Sequence, residues 1–265
     1  NQYHPEIPLL EKEFPKELSA LKATDEIYRL NLISNEGKEA RDYLEKRQIQ
    51  KDVIDHFGIG YATEDSTSLI RKLRDNKGFD VGTLERAGIL ASGSELRDRY
   101  TRRIMFPIQD NDGHIVAFSG RKISSEQTGG KYVNYSETPL FHKSQIMYHF
   151  YKAKEEARKV GYIYLVEGYM DVIAYVRAGI FSVAGLMGTA LTNDHIECLK
   201  RLGVEVRLAL DSDEPGRQGI ERDIPELFKA SIPMRIQWAF TKAKDADELL
   251  TNYGKEVFLK QINRL

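Results

Sequence analysis

Between residues 162 and 252 the chain repeatedly alternates a short apolar run with a helical pattern: YIYLV then MDVIAYVRAG, FSVAG then NDHIECLKRLG, EVRLAL then GRQGIERDIPELFKA, MRIQWAF then DADELLTNYG. Strands separated by helices cannot pair as hairpins. They form parallel β-α-β units with right-handed crossovers. Three of these helices end at Gly179, Gly203 or Gly254, where a left-handed cap wants glycine. Glu167-Gly168, Gly188-Thr189, Asp211-Ser212-Asp213 and Asp245-Ala246-Asp247 each follow a strand. All four therefore fall on the carboxyl edge of one sheet, where open α/β sheets bind ligands. Asp171 lies one helical turn beyond Glu167 and faces the same way.

Asp211 and Asp213 are two residues apart, so on an extended backbone both side chains leave on one side. Like charges this close raise each other's pKa unless cations offset them. The donors Glu167, Asp171, Asp211, Asp213, Asp245 and Asp247 are all hard oxygens, which favours Mg²⁺ or Mn²⁺ over zinc. Such ions suit phosphoryl or nucleotidyl transfer, in which they activate the attacking oxygen and neutralise the leaving one. Each acid also has a structural reading. An Asp before EPG starts a turn or helix, and Asp245 or Asp247 could cap the last helix. TGGKY lacks the upstream Gly and following Ser or Thr of a P-loop, and no G-x-G-x-x-G follows a strand.

Upstream the pattern differs. Residues 1–15, with prolines at 5, 8 and 15, read as a linker or tail, and 16–92 are rich in helical spacing. GKEARDYLEKRQI and DSTSLIRKLRDNKG are the clearest helices there, the second capped by Ser66 or Thr67. RRIMFPIQ and HIVAFSGR flank DNDG, where Asp112-Gly113 favours a tight hairpin. Lys131, Asn134, His142 and Lys143 follow on loops or strand edges. The expected fold is α/β, or α+β over the whole chain: a mixed amino-terminal subdomain with antiparallel strands (16–155), a parallel sheet flanked by helices (156–252), and the start of a helical subdomain (253–265).

A formal net charge of −1 conceals a division. Residues 97–143 carry eight Lys and Arg against five Asp and Glu, whereas 163–250 carry ten against fourteen. A basic surface beside an acidic one suits an anionic substrate held by cations and worked on through carboxylate-bound metal, although charge counts alone favour reading both as solvated faces. With 265 residues and 41% hydrophobic content the chain can bury a sizeable core. No apolar run approaches the ~18 residues of a membrane helix, and residues 1–18 are too charged for a signal peptide, so the cytoplasm is the expected compartment. The one cysteine, Cys198, reads as a core thiol and leaves no Cys-based zinc cluster within this chain.

The segments VEGYMDVIAY, GLMGTALT, ALDSDEPGRQG and KDADELL, in that order, resemble the Toprim domain of bacterial primases, topoisomerases and some nucleases. LRDRYTRRIMFPIQDNDGHIVAFSGRKI followed by KYVNYSETPLFHKSQIMYHFYKA is similar to the catalytic core of bacterial DNA primase, a likeness running from about residue 30 to 255. The resemblance implies a Toprim-type sheet and a DNA-directed RNA polymerase that makes short RNA primers on single-stranded DNA. It implies that Glu167, Asp211 and Asp213 are catalytic and that the six acids bind metal. Arg99, Arg103, Arg121, Lys131, Asn134 and Lys143 would hold template or nucleotide phosphates. Tyr100, Tyr132 and Tyr135 could stack on unpaired bases, although tyrosines on half-buried strands more often pack. Ser212 stands where the family usually has Gly, and Thr101 where a basic residue is common. The resemblance further implies ribonucleoside triphosphates as substrates and a replicative helicase as partner through a domain expected to be absent here. Zinc is expected only in an equally absent amino-terminal domain, and the core itself is expected to be a monomer with no membrane partner. Another Toprim enzyme, a nuclease or topoisomerase fragment, and a non-catalytic nucleic-acid-binding module are the alternatives.

Overall fold

The structure, a computed structural model, describes residues 8–90, 96–188, 190–237, 240 and 242–262. The chain divides into two compact units, Asn1–His142 and Lys143–Leu265.

In the first unit, α1 (Leu9–Glu13) precedes the long helix α2 (Pro15–Ile33), with Pro8 at the cap of one and Pro15 at the first turn of the other. The proline ring fixes a helical φ and lacks an N–H that the first turn would leave unpaired, so these prolines start helices. Leu21, Thr24, Tyr28 and Leu32 make the buried stripe of α2. Next come α3 (Lys38–Lys46), α4 (Lys51–Phe57), β1 (Gly60–Ala62) and α5 (Ser68–Arg71), which runs into a π turn at Lys72–Asn76. Thr67 sits at the α5 cap position without a side-chain cap bond. The Asp65 carboxylate is what receives the Thr67 N–H and hydroxyl, at 2.9 and 2.7 Å. After α6 (Val81–Arg86), strands β2 (Arg103–Gln109), β3 (Ile115–Lys122) and β4 (Tyr132–Asn134) complete an antiparallel sheet of order β1-β2-β3-β4. The β2–β3 turn is wider than Asp112-Gly113 alone would make it. Asp110 Oδ1 accepts the N–H groups of Asp112 and His114, and a register shift at Ile108/Gln109 takes up the slack, with Gly113 at φ 95.

The second unit follows the expected alternation: α7 (Phe150–Val160), β5 (Tyr162–Val166), α8 (Tyr169–Arg177), β6 (Val183–Gly185), α9 (Asn193–Leu202), β7 (Glu205–Leu208), α10 (Glu214–Lys229), β8 (Met234–Ile236) and α11 (Ala246–Ile262). The four strands are parallel, in the order β6-β5-β7-β8. Strand β5 matches its apolar run, whereas β6, β7 and β8 are shorter than theirs, and the last run's Trp238 and Ala239 lie outside the described residues. Leu165 pairs with Ala184 on one side and Leu208 on the other. With Ile163, Val206, Leu199 and Leu227 these residues form one apolar core, and burying each large side chain contributes roughly 1.5–3 kcal/mol. Tyr164 points to the opposite face, where Tyr175 of α8 and then Phe258 of α11 cover it. Gly203 closes α9 in the left-handed region and Gly179 follows α8 at φ 90. Gly254 departs from the expected cap: at φ 82, ψ 170 it interrupts α11, which resumes beyond it. Cys198 is buried on α9, as a core thiol should be.

Candidate metal centre

Strand β5 ends at Val166, and Gly168 is the extended cap residue of α8, so Glu167 leaves the sheet at its carboxyl edge. Its Oε1 accepts the Asp211 N–H at 3.2 Å, which ties the ends of β5 and β7 together. Gly216 makes this approach possible: a Cβ there would stand 2.1 Å from the Asp211 carbonyl oxygen and 2.9 Å from Glu167 Oε1. Asp171, in the first turn of α8, is buried, and its Oδ1 accepts the Asp247 N–H at 3.4 Å. Asp213 caps α10 by accepting the Gly216 N–H at 3.1 Å. Asp245 accepts the Glu248 N–H at 2.8 Å at the start of α11.

Electrostatics shows that these acids share one place. Burial, then Asp211, Asp245 and Asp247, push the Asp171 carboxyl well above its ordinary range. Asp211 is pushed up to about 7 by burial and then by Glu167, Asp245 and Asp213. Glu167 is raised chiefly by burial, with Asp213 adding to it. Asp213 goes the other way: partial burial opposes it, but the Gly216 N–H and the Lys244 ammonium, 3.1 Å from Oδ2, hold its pKa low. Arg177 lies 3.7 Å from Asp247 Oδ1, both side chains being about nine-tenths buried. Lys244 and Arg177 thus offset part of an acidic charge that still pushes three carboxyls up. A donor set of oxygens alone, short of positive charge, fits a hard divalent cation. A pocket of about 160 Å³ opens beside Glu167, lined also by Leu186, Leu210, Pro215 and Arg222. Thr189 lies outside the described residues. The Ser212 hydroxyl accepts the Phe240 N–H at 2.7 Å.

Arg99, Arg103, Arg121, Lys131 and Asn134 belong to the first unit, and Lys143 opens the second in a single 3-10 turn, Lys143–Gln145. Lys131 is exposed, Arg99 and Asn134 are half-buried, and Arg99 lies 5.4 Å from the Tyr135 ring. Arg121 is buried between the Tyr43 and Tyr132 rings, and the guanidinium of Arg103 is buried among carbonyl oxygens. Two of the expected base-stacking tyrosines do not fit that role. Tyr100 and Tyr135 stack on each other inside the core, 5.7 Å apart and 9° from parallel, because their rings fill the space between sheet and helix.

Several groups escaped the sequence reading. Lys244 and Arg177 carry no local signal, since their partners are distant in the chain. Asp98 accepts the Tyr28 hydroxyl and the Tyr100 N–H, each at 2.9 Å, and burial lifts its pKa to about 7. Asp110, Asp112 and His114 set ligand atoms within 4.8 Å of one another, a spacing that also fits a divalent metal and that D-x-D-x-H displays openly. The imidazole there is engaged on both sides, by Asp110 at 3.0 Å and Glu11 at 2.7 Å.

A parallel four-stranded sheet with acids from three strand ends defines a Toprim-type module, here preceded by a unit built on an antiparallel sheet. Comparison with known proteins agrees. Residues 27–154 match the family model for the DNA primase catalytic core, N-terminal domain, and residues 164–250 match a Toprim-like model. The chain is 38% identical over 231 residues to the DNA primase of Lactococcus lactis, an overlap of 86% of this chain and 36% of that protein. It is 34% identical over 250 residues to that of Pseudomonas putida, 92% of this chain and 37% of the relative. It thus spans a little over a third of the length of these relatives. Among solved structures, the RNA polymerase domain of Mycobacterium tuberculosis primase DnaG superposes with a TM-score of 0.86 at 30% identity, covering 94% of this chain and 83% of that one. A DnaG primase catalytic domain bound to ssDNA gives 0.84 at 29% identity, covering 94% and 78%. The chain belongs to the bacterial DNA primase family, within the catalytic core.

Proposed function

We propose that this chain is the polymerising core of a primase, joining ribonucleoside triphosphates into short RNA primers on single-stranded DNA in the bacterial cytoplasm. The observation that carries the reading is the convergence of Glu167, Asp171, Asp211, Asp213, Asp245 and Asp247 at one sheet edge, where burial and then their mutual repulsion raise the pKa of Asp171 and Asp211. These residues would hold Mg²⁺ or Mn²⁺, which supplies charge neutralisation at a transferring phosphate and lowers the pKa of an attacking hydroxyl. Glu167, its carboxyl raised by burial and beside the pocket, is placed to exchange a proton, while Asp211 and Asp213 orient the site. Arg99, Lys131, Asn134 and Lys143 would hold phosphates of template and nucleotide without reading bases, which an enzyme working at many sequences requires. Solved relatives bound to single-stranded and double-stranded DNA support that role. The core works as a monomer, and in the whole protein it serves the replicative helicase through segments outside this stretch.

The test is incubation with single-stranded DNA, labelled ribonucleotides and Mn²⁺. Labelled product should lengthen with time for the wild type and be lost in Asp211→Asn. Shortening of the template instead would make the chain a Toprim nuclease, and full activity in Asp211→Asn would remove the acidic cluster from the chemistry.

A further inference from the structure

The connection from β3 to β4, residues 123–131, has little that is apolar to hold it. Residues 125, 126 and 128–131 are exposed. Polar side chains fix it instead. Arg103, only 7% exposed, donates from Nη1 to the carbonyl oxygens of Gly120 at 3.0 Å and Gly130 at 3.1 Å, and from Nη2 to that of Thr128 at 3.4 Å. Gln127 works from within the loop. Its Oε1 accepts the N–H groups of Ile123 at 2.7 Å and Ser124 at 2.9 Å, and its Nε2 donates to the Arg102 carbonyl at 2.8 Å. The Lys122 N–H closes the loop on the Lys131 carbonyl at 3.0 Å. Gly129, at φ 84, lets the chain bend over the guanidinium.

The flat fork of an arginine suits this task, because its donors leave in fixed directions and keep their charge when buried. A guanidinium so deep, and answered by carbonyls, is not presented to a passing phosphate. What it does control is the exit of the loop: Lys131, then Tyr132, whose ring covers Arg121, then Asn134 at the end of β4. Strand β4 is an edge strand holding to β3 through three paired residues, so a shift of the loop would carry it along.

We infer that Arg103 and Gln127 are positioning residues: together they preform the 123–131 loop and so place Lys131 and β4 for the nucleic acid, without touching it. The inference rests on the proposed binding of single-stranded DNA, and two readouts separate the two. The first is hydrogen exchange of the Ile123 and Ser124 amides, measured without DNA. Arg103→Met and Gln127→Ala should both speed it, and unchanged exchange in both would overturn the inference whether or not the chain binds DNA. The second is anisotropy of a labelled single-stranded oligonucleotide across a salt series, with the wild type as control for binding itself. Lys131→Ala should weaken binding about fivefold and reduce the salt slope by about 0.7, as loss of one phosphate contact does. Gln127→Ala, which removes no charge, should weaken binding in the wild-type background and have almost no further effect once Lys131 and Asn134 are both Ala. Arg103→Met should behave alike, and Arg103→Lys should not rescue it. Losses that add in full to those of the Lys131→Ala, Asn134→Ala background would overturn the inference, and a further ~0.7 drop in slope for Arg103→Met there would show that Arg103 meets a phosphate itself and would overturn it too. Should Arg103→Met fail to fold, Gln127→Ala decides by the same two readouts.

Discussion

Asp211→Asn should make the metal-free protein more stable while removing most of the stabilisation that metal provides. In the folded chain the Asp211 carboxyl titrates near 7, against an ordinary 3.8. Between those values the folded state keeps a proton that the unfolded chain has released, so stability falls as pH rises through this window and the loss is complete above it. Lifting this carboxyl from 3.8 to about 7 corresponds to roughly 4 kcal/mol, which solvent screening of a half-buried group and relaxation of Glu167, Asp245 and Asp213 around it reduce. Asparagine keeps the shape and drops the charge. A gain of about 1–3 kcal/mol at about pH 8 is therefore expected, or roughly 3–10 °C in melting temperature for a chain of this size, and almost none near pH 4. The assay is thermal unfolding in chelator and in millimolar Mg²⁺ or Mn²⁺. The wild type should rise on adding metal, by an amount set by the ratio of metal concentration to its dissociation constant, and the variant should rise much less. The reasoning fails if the variant in chelator is less stable than the wild type at about pH 8, or if metal lifts both equally.

Asp98→Asn should flatten the pH dependence of urea unfolding between about pH 4 and 7, because Asp98, buried and raised to about 7, otherwise loses stability as pH rises through that range. An unchanged pH profile would mean that the buried group does not titrate there. Leu165→Ala, in the fully buried middle of β5, should cost about 2–5 kcal/mol by the same method, and a cost under about 1 kcal/mol would show the core to be looser than its packing implies. Ser212→Gly should lose the bond to the Phe240 N–H and about 0.5–1.5 kcal/mol, yet keep the metal-induced rise in melting temperature; loss of that rise would give the hydroxyl a direct part in the site.

The parallel half of the fold was legible because its signal is local and repeated. Apolar runs of strand length, separated by helices and followed by acids, allow little but β-α-β crossovers, and the order of acids along the chain gives the edge they occupy. The amino-terminal unit was legible in parts. RRIMFPIQ and HIVAFSGR announced a hairpin, but the width of its turn depends on Asp110 receiving two backbone N–H groups, which no residue pattern displays. The first prolines read as a linker because Pro breaks helices in their interior, although it also starts them. By resemblance, Arg103 and Arg121 are expected to hold template or nucleotide phosphates, which requires them to be exposed. Burial decides otherwise, and burial of a long polar side chain depends on carbonyls and rings that other segments of the chain bring to it. The same holds for Tyr100, just before β2, and Tyr135, just after β4, which meet only once the sheet has formed.

Reading Asp213 and Asp245 as helix caps or as metal ligands turns out not to be a choice between exclusive alternatives. Each gives its Oδ1 to a backbone N–H in the first turn of a helix, and Asp213 keeps Oδ2 for a cation, here Lys244. Helices α8, α10 and α11 all begin beside this sheet edge, with Asp171, Asp213 and Asp245 in or next to their first turns. A helix start carries unpaired N–H donors and a partial positive charge, each favourable to a nearby carboxylate by about 0.3–1 kcal/mol. Three such starts, with Lys244 and Arg177, let six acids fold together, yet their sum falls short of neutralising them, as the raised pKa of Asp171 and Asp211 records. On the proposed reading, that remainder is what would make the site a cation receptor: had the helix starts and the two cations cancelled the charge fully, the cluster would have little reason to bind a metal.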